Sequence, residues 1–517
     1  MARKRANNSA PLTTAQRLGA LVKSARDLMR KDKGLNGDLD RLPLLTWVMF
    51  LKFLDDAELQ REQKAALSGK KFRPAIEAPY RWRDWATREE GITGPELIAF
   101  VNYEKATRPD GSEGPGLLFY LRNLDWEDEQ DPRRTIANVY AGVSNRMESG
   151  YLLREVVNKV NGIHFNSNDE IHTLGHLYES MLKEMRDAAG DSGEFYTPRP
   201  VVRFMVAATD PRLGETVLDP ACGTGGFLVE TYTHLEKQVR TVQDRQTLQT
   251  RSIHGGEAKP LPYMLAQMNL LLHGLEAPNL SKANSLDVKL GEIGDKDRVD
   301  LILTNPPFGG EEERGILGNF PDDKRTAETA LLFLQLIMRK LRRPVPGGAR
   351  PGRAAVVVPN GTLSGDGVCA KIKEELLTQY NLHTIVRLPN GVFAPYTSIP
   401  TNILFFDRSG PTKQVWYYEQ PLPEGRKQFT KTQPLTFEEF ADCLEWWNKR
   451  EENERAWTIP AADLLATGCN LDRKNPRGKP DIEHLPPAEL VESILQKEVR
   501  IVAIVGEVKE LLAGGGR

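Results

Sequence analysis

Asn305-Pro306-Pro307-Phe308 closes an apolar run, Leu301 to Leu303, and two glycines follow it. An exocyclic amine on an aromatic ring, or an amide nitrogen, is a poor nucleophile because its lone pair is delocalised. The Asn305 side-chain oxygen and the Pro306 carbonyl can each accept one N–H of such a group. Two acceptors set out of the ring plane favour a pyramidal nitrogen whose lone pair is free to attack. Pro306 and Pro307 restrict the backbone and hold the acceptors ready. Phe308 offers a ring on which a flat substrate stacks, and Gly309 and Gly310 leave room beside it. The plain alternative is a strand stopped by proline, with no chemistry. The strand, the amide and the aromatic ring together fit one job better.

Two earlier stretches supply what such a reaction needs. In TVLDPACGTGGF, residues 216 to 227, Asp219 ends a short apolar run and Gly223, Thr224, Gly225 and Gly226 form a glycine-rich turn before a helix. A Walker loop would require Gly-Lys-Ser/Thr, which is absent, and a full G-x-G-x-x-G fingerprint would require glycine where Leu228 stands. The turn is Rossmann-like without the complete signature, and alone it also reads as a tight strand-to-helix turn with no ligand. In SIHGGEAKP, Glu257 follows the next apolar run, where a carboxylate can accept both hydroxyls of a ribose. Its distance from Gly226 exceeds the usual spacing of about 20 residues. The polar stretch TVQDRQTLQT accounts for the excess as an insertion.

These residues must be held by something, and the hydrophobic pattern says what. From about 200 to 406, short β-branched runs (ETVLDP, SIHGGE, VDLILTN, RAAVVVPN, LHTIVRLP, TNILFFDR) alternate with helical stretches such as PYMLAQMNLLLHG and ETALLFLQLIMRKL. Such alternation predicts a parallel, doubly wound α/β sheet. Ligands sit beyond the carboxyl ends of its strands, where Asp219, Glu257 and Asn305 all fall. Residues 1–165 read mostly as helices, with LPLLTWVMFLKFL as a buried one. NSNDEIHTLGHLYESMLKEMRDA predicts a further helix after them. Residues 411–517 hold one more strand (QVWYYEQ), a helix, a Pro/Gly-rich connector and a last helix. The expected division is therefore 1–165 helical, 166–410 α/β, and 411–517 a C-terminal region.

Bulk properties exclude several classes. A length of 517 residues suggests two to four domains at about 150 residues each. The net charge of -2 gives no basic footprint of the kind a protein gripping nucleic acid alone usually carries. Cys222, Cys369, Cys443 and Cys469 are scattered without a CxxC pair, so neither a disulfide framework nor a zinc knuckle is expected. The first residues, MARKRANNSA, lack an apolar core behind them and do not read as a signal peptide. LPLLTWVMFLKFL is too short to span a bilayer.

The ordered set GEFYTPRPVV, DPACGTGGFL, GGEAKPLPYMLAQMNLLLHG, TNPPFG and LPNGVFAPYT resembles the modification (methyltransferase) subunits of type I restriction-modification systems, within the adenine-N6 DNA methyltransferases. The resemblance covers about 165 to 406 with specific motifs and extends less sharply to either side. It implies a Rossmann-like S-adenosylmethionine domain with a helical N-terminal domain and a C-terminal helical tail. It further implies that Glu194, Phe195, Tyr196, Thr197, Pro198, Arg199, Asp219, Gly223, Thr224, Gly225, Gly226 and Glu257 contact S-adenosylmethionine. Asn305, Pro306, Pro307 and Phe308 would then hold the target adenine. Phe393 resembles a second stacking aromatic, and an ordinary loop aromatic is its alternative. Asn284 stands where many relatives carry an acid near the cofactor's adenine. No metal is implied. The implied partners are double-stranded DNA, a specificity subunit that reads the bases, a restriction subunit and a second copy of the chain, in a prokaryotic cytoplasm with no membrane.

Preference for adenine over cytosine rests on that resemblance, since both amines suit the same acceptors. Three other functions remain open on the residues: a stand-alone DNA amino-methyltransferase, a protein-glutamine methyltransferase, and a non-catalytic cofactor-binding scaffold. A stand-alone DNA enzyme needs its own recognition domain, and little chain remains after the α/β region to build one. An intact Asn-Pro-Pro-Phe beside an intact glycine turn and acid argues against a decayed site. The last helix places Val491, Ile494, Ile501, Val505, Val508 and Leu512 at three- and four-residue spacing, interrupted at Glu498. That stripe suits either packing on its own domain or docking on a partner's coiled coil.

Overall fold

The computed structural model describes all residues except 1–13, 70, 129–130, 164–177, 179–180, 182–196, 346, 348–349, 395–396, 398, 431, 478–494, 496, 503 and 507–517. The chain forms two compact units, Met1–Arg473 and Lys474–Arg517. In the second, the described residues between 495 and 506 are helical. Of the helix expected at 166–188, only Tyr178 and Met181 lie among the described residues, and both are helical.

The N-terminal part of the first unit is built on helices α1 (Thr14–Met29), α2 (Asp38–Leu67) and α3 (Gly150–Asn161). Every residue of α2 from Leu44 to Asp55 is buried. A helix apolar on all sides must run through a core rather than along a surface. Lys52, the one cation in that run, is ion-paired with Asp56. Ser149 caps α3, its hydroxyl accepting from the Leu152 N–H at 3.3 Å, which satisfies one of the donors a helix start leaves free.

The rest of the unit is a nine-stranded sheet. In chain order its strands are β1 (Val217–Asp219), β2 (Ile253–Gly256), β3 (Asn279–Ser281), β4 (Leu301–Thr304), β5 (Arg353–Pro359), β6 (Asn381–Arg387), β7 (Thr401–Asp407), β8 (Gln414–Glu419) and β9 (Ala456–Pro460). Their spatial order is β9-β8-β6-β7-β5-β4-β1-β2-β3. The strands pair in parallel except β7, antiparallel to both β5 and β6, and β9, antiparallel to β8. The expectation of a parallel sheet is corrected at β7, and β9 is a strand the sequence did not suggest. A parallel return needs a crossover, usually a helix, and none stands among the described residues between Arg387 and Thr401.

Helices α4 (Arg199–Thr209), α5 (Gly226–Glu236), α6 (Pro260–Leu272), α7 (Thr329–Lys340) and α8 (Val368–Gln379) cover the sheet. The polar insertion TVQDRQTLQT is itself a helix, Val242–Thr250, whose Thr241 and Asp244 form a capping box. The sheet runs on past residue 410: β8 and β9 extend it, so the strand QVWYYEQ belongs to the same sheet as the strands before it. The order of strands reverses between β1 and β4. In doubly wound sheets the crevice at such a switch point is where ligands bind.

Candidate active site

The cleft lies at that crevice. It is lined from β1 and its turn by Asp219, Gly223, Thr224 and Gly226, from the end of β2 by Glu257, from beyond β3 by Asn284, and from beyond β4 by Asn305 and Pro307. Thr197 and Arg199, at the start of α4, complete one wall, and Glu312 and Phe333 another. Residues spread over a hundred positions of sequence thus meet because four neighbouring strands end together.

The glycine turn is held open by backbone geometry. Gly225 caps α5 with φ of 80°, in the left-handed region, which a residue with a Cβ adopts only at a cost. The turn is fastened from beside it: Asn269 Nδ2 on α6 donates to the Thr224 carbonyl at 2.9 Å, and Arg199 donates to the Gly226 carbonyl at 2.7 Å. Glu257 also has a structural task that sequence did not reveal. Its Oε2 accepts from the Gly223 N–H at 3.0 Å and its Oε1 from the Lys259 N–H at 2.8 Å. Each carboxylate oxygen carries a second lone pair, so the group still has capacity toward a ligand. Burial raises the Glu257 carboxyl above the usual range, against the pull of those N–H donors.

Asp219 is 1% exposed. Its Oδ1 accepts from the Thr304 hydroxyl at 2.7 Å and from the Ala221 N–H at 3.1 Å. Burial pushes its carboxyl up to about 7, and these hydrogen bonds resist the rise. Thr304 is the last residue of β4, immediately before Asn305, so this contact ties the glycine turn to the Asn-Pro-Pro-Phe turn. Sequence did not mark Thr304; a hydroxyl ending a buried strand carries no signal until its neighbour is known.

Asn305 differs from its neighbours. Its side-chain oxygen is buried, lies at the cleft and has no hydrogen-bond partner among the described residues. Buried polar atoms are nearly always paired, and this one, at the cleft, is available to an N–H donor that enters. Pro306 and Phe308 lie outside the cleft lining. Phe308 meets Phe393 edge to face, with centroids 5.8 Å apart at 70°. The structure thus brings together the two expected stacking aromatics, but Phe393 is 4% exposed and belongs to the hydrophobic core. It backs Phe308 rather than offering an open face.

Of the expected cofactor residues, Thr197, Arg199, Asp219, Gly223, Thr224, Gly226, Glu257 and Asn284 line the cleft. Gly225 shapes the turn from behind, and Pro198 is buried at the head of α4. Glu194, Phe195 and Tyr196 lie outside the described residues. Asn284 spends its oxygen locally, accepting from the Leu286 N–H at 3.0 Å, and its amide donates to Glu312 Oε2 at 3.2 Å. Sequence passed over Glu312, because in GGEEERG it reads as part of a solvated charge run.

Comparison with known proteins gives the family in which this cleft stands. The N-6 DNA methylase profile matches residues 169–484, and the HsdM N-terminal domain profile matches residues 18–160. The chain belongs to the N-6 DNA methylase family. Within it, the chain is a methylase subunit of the type I restriction enzyme kind. It is 44% identical over 505 residues to the type I restriction enzyme EcoEI methylase subunit of Escherichia coli, covering 96% of this chain and 97% of that one. It resembles a modification subunit from Vibrio vulnificus YJ016 assigned to a type I restriction enzyme, at 66% identity and a TM-score of 0.85, over 92% of this chain and 100% of that chain. A chain from work on complex assembly and conformational transition of the type I R-M system matches at 38% identity and a TM-score of 0.76, over 98% and 100%. Among the described residues of this methylase no helix is long and apolar enough to cross a membrane.

Proposed function

We propose that the cleft binds S-adenosylmethionine and that the Asn305–Phe308 turn presents the N6 amine of an adenine in double-stranded DNA to it. In this reading a separate specificity subunit chooses the site, and the complex also holds a restriction subunit and a second copy of this chain, in a prokaryotic cytoplasm. One observation carries the chemistry: the buried, unpartnered oxygen of Asn305 lies at the same cleft as the glycine turn and Glu257. An acceptor without a partner suits an incoming N–H donor.

The residues present fit the cofactor. Gly223, Gly225 and Gly226 let backbone approach it closely, Glu257 retains lone pairs for ribose hydroxyls, and Asp219 stands between Asn305 and Glu257 in the row of strand ends. S-adenosylmethionine supplies an electrophilic methyl group. The chain's own work is to hold the amine. Asn305 Oδ1 and the Pro306 carbonyl each accept one N–H, which draws the nitrogen out of conjugation and frees its lone pair. The prolines keep both acceptors in place before the amine arrives, which is where such sites gain most. Phe308, supported by Phe393, offers the face for a base turned out of its helix.

A protein glutamine amide suits the same pair of acceptors and is the second reading. The test is radiolabelled methyl transfer with the specificity subunit present, to DNA and, separately, to denatured host protein. Asn305→Ala should cut transfer to DNA by about 10² or more, the scale for losing one preorganised polar contact, while cofactor binding persists. Transfer within tenfold of wild type refutes the assignment of Asn305. Methylation of protein glutamine alone favours the second reading.

A further inference from the structure

The strand order lays out the cleft as a row: Asn305 after β4, Asp219 after β1, Glu257 after β2 and Asn284 after β3. If the methyl group is delivered at Asn305 and the ribose is held at Glu257, the base of the cofactor lies at the far end, by Asn284. What that end offers a base follows from counting hydrogen bonds. The Asn284 oxygen already accepts the Leu286 N–H inside a local turn, which takes one of its two lone pairs. Its amide group donates, and one donor already goes to Glu312 Oε2. Asn284 therefore presents one N–H and a single lone pair, on a neutral oxygen already turned toward its own backbone. The exocyclic amine of adenine is a donor, and an ionised acceptor with no partner holds it more strongly than that neutral oxygen.

The stronger acceptor at that corner comes from elsewhere in the chain. Glu312 lines the cleft beside Asn284, and among the described residues no hydrogen bond ends on its Oε1 and no cation pairs with it. Its position is fixed by backbone: the Glu312 N–H donates to the Ala327 carbonyl at 3.2 Å, Glu311 bridges Glu328 in antiparallel fashion, and Thr329 Oγ1 donates to the Gly310 carbonyl at 3.1 Å. The loop that starts at Asn305 is thus pinned at the head of α7, with one carboxylate turned into the cleft.

Resting on the cofactor reading above, we propose that Glu312 is a cofactor-specificity residue, its carboxylate accepting the exocyclic amine of the cofactor's adenine while Asn284 holds the carboxylate in place. The pair then offers one acceptor and one donor side by side. That matches adenine's amine and adjacent ring nitrogen, and it opposes a base with a carbonyl at the same position. A carboxylate and a carbonyl oxygen are both acceptors and leave each other unsatisfied, which costs more than a bond merely not made. The same contact joins cofactor binding to the loop that carries Asn305.

Calorimetric titration of the full-length chain with S-adenosylhomocysteine and with S-inosylhomocysteine, whose base carries a carbonyl in place of the amine, tests this. Both are uncharged at sulfur, so their affinity ratio cancels any general effect of the Glu312 charge. Wild type should prefer the adenine compound by about 10- to 100-fold, the range for a hydrogen bond to a charged group. Glu312→Ala should bring the ratio to within about threefold of unity. Glu312→Gln should reverse it, because Asn284 will hold the glutamine oxygen and leave its amide N–H to face a carbonyl. Loss of a merely structural contact would weaken both ligands equally. If both variants keep the wild-type ratio, Glu312 does not read the base and the proposal falls. If wild type binds neither compound, the cofactor reading itself is overturned, and this proposal with it.

Discussion

Asp219 carries a cost that its neighbours leave uncompensated. Burial raises its carboxyl from 3.8 to about 7. Between about pH 4 and pH 7 the folded chain keeps a proton that the unfolded chain releases. Stability therefore falls as pH rises across that window, and no more is lost above it. At roughly 1.4 kcal/mol per unit the effect amounts to a few kcal/mol. Asp219→Asn keeps an oxygen for Thr304 and Ala221 and removes the titration. Thermal melts of the cofactor-free variant should gain on wild type steadily from pH 4 to pH 7; a constant difference at all pH values would show that Asp219 is ionised throughout. Glu257 combines two tasks, so Glu257→Ala should weaken S-adenosylmethionine binding by about 2 kcal/mol, a hydrogen bond to a charged group, and also loosen the turn at Gly223. Unchanged affinity by calorimetry would leave Glu257 with the turn alone. The sequence made the identities of these residues legible, since glycines, an acid and Asn-Pro-Pro-Phe each sit at a strand end. It could not show Thr304 or Glu312, whose importance comes only from partners 85 and 28 positions away.

At the scale of elements, α6 connects parts that the sequence separates. Tyr263, Ala266 and Leu270 on one side join the apolar cluster beneath the glycine turn. Met264, Leu265, Met268, Leu271 and Leu272 join the core of the N-terminal helices. A helix buried almost all round reads in sequence as an ordinary core helix, because nothing in its composition says that two different cores share it. Tyr178 adds to the join, donating to the Leu265 carbonyl at 3.1 Å. Met268 is 1% exposed, and Met268→Ala should cost about 2–5 kcal/mol. Hydrogen exchange should then show peptides of α2 and of β2 losing protection together. Loss confined to α2 would mean that the two cores open independently. The strands that sequence missed, β3 and β9, are both edges: β3 is three residues with exposed ends and β9 fades into Pro460. A short strand with one neighbour has little apolar pattern to betray it. The strand β7 was legible as a strand but not in direction, because direction is set by a connection, and apolar runs look alike read either way.

At the scale of the whole chain, charge and exposed apolar surface point outward, to other molecules. A net charge of -2 gives little general attraction to phosphate, the term that supplies most non-specific DNA affinity. The described helical residues of the second unit expose Leu495, Val499, Ile501, Val502, Ile504 and Val505, with Val499 and Val502 at 71%. Ile501 and Val505 belong to the stripe expected from the sequence, whose Val491, Ile494, Val508 and Leu512 lie outside the described residues, and Leu495, Val499 and Val502 form a second stripe at helical spacing. Scattered apolar residues on a surface need no explanation, but a contiguous set on one helix marks a surface that packs against something else, the first unit or another chain. In the proposed complex that chain is the specificity subunit. A double substitution, Val499→Glu with Val502→Glu, places two charges in the stripe and leaves the cleft untouched. Cofactor affinity should stay at the wild-type value, while co-purification with the specificity subunit and site-specific DNA methylation fall together by tenfold or more. The unmodified chain alone should bind duplex DNA weakly and methylate it poorly. If instead it methylates one defined site at full rate without a partner, recognition resides in this chain, and the exposed stripe serves some other contact.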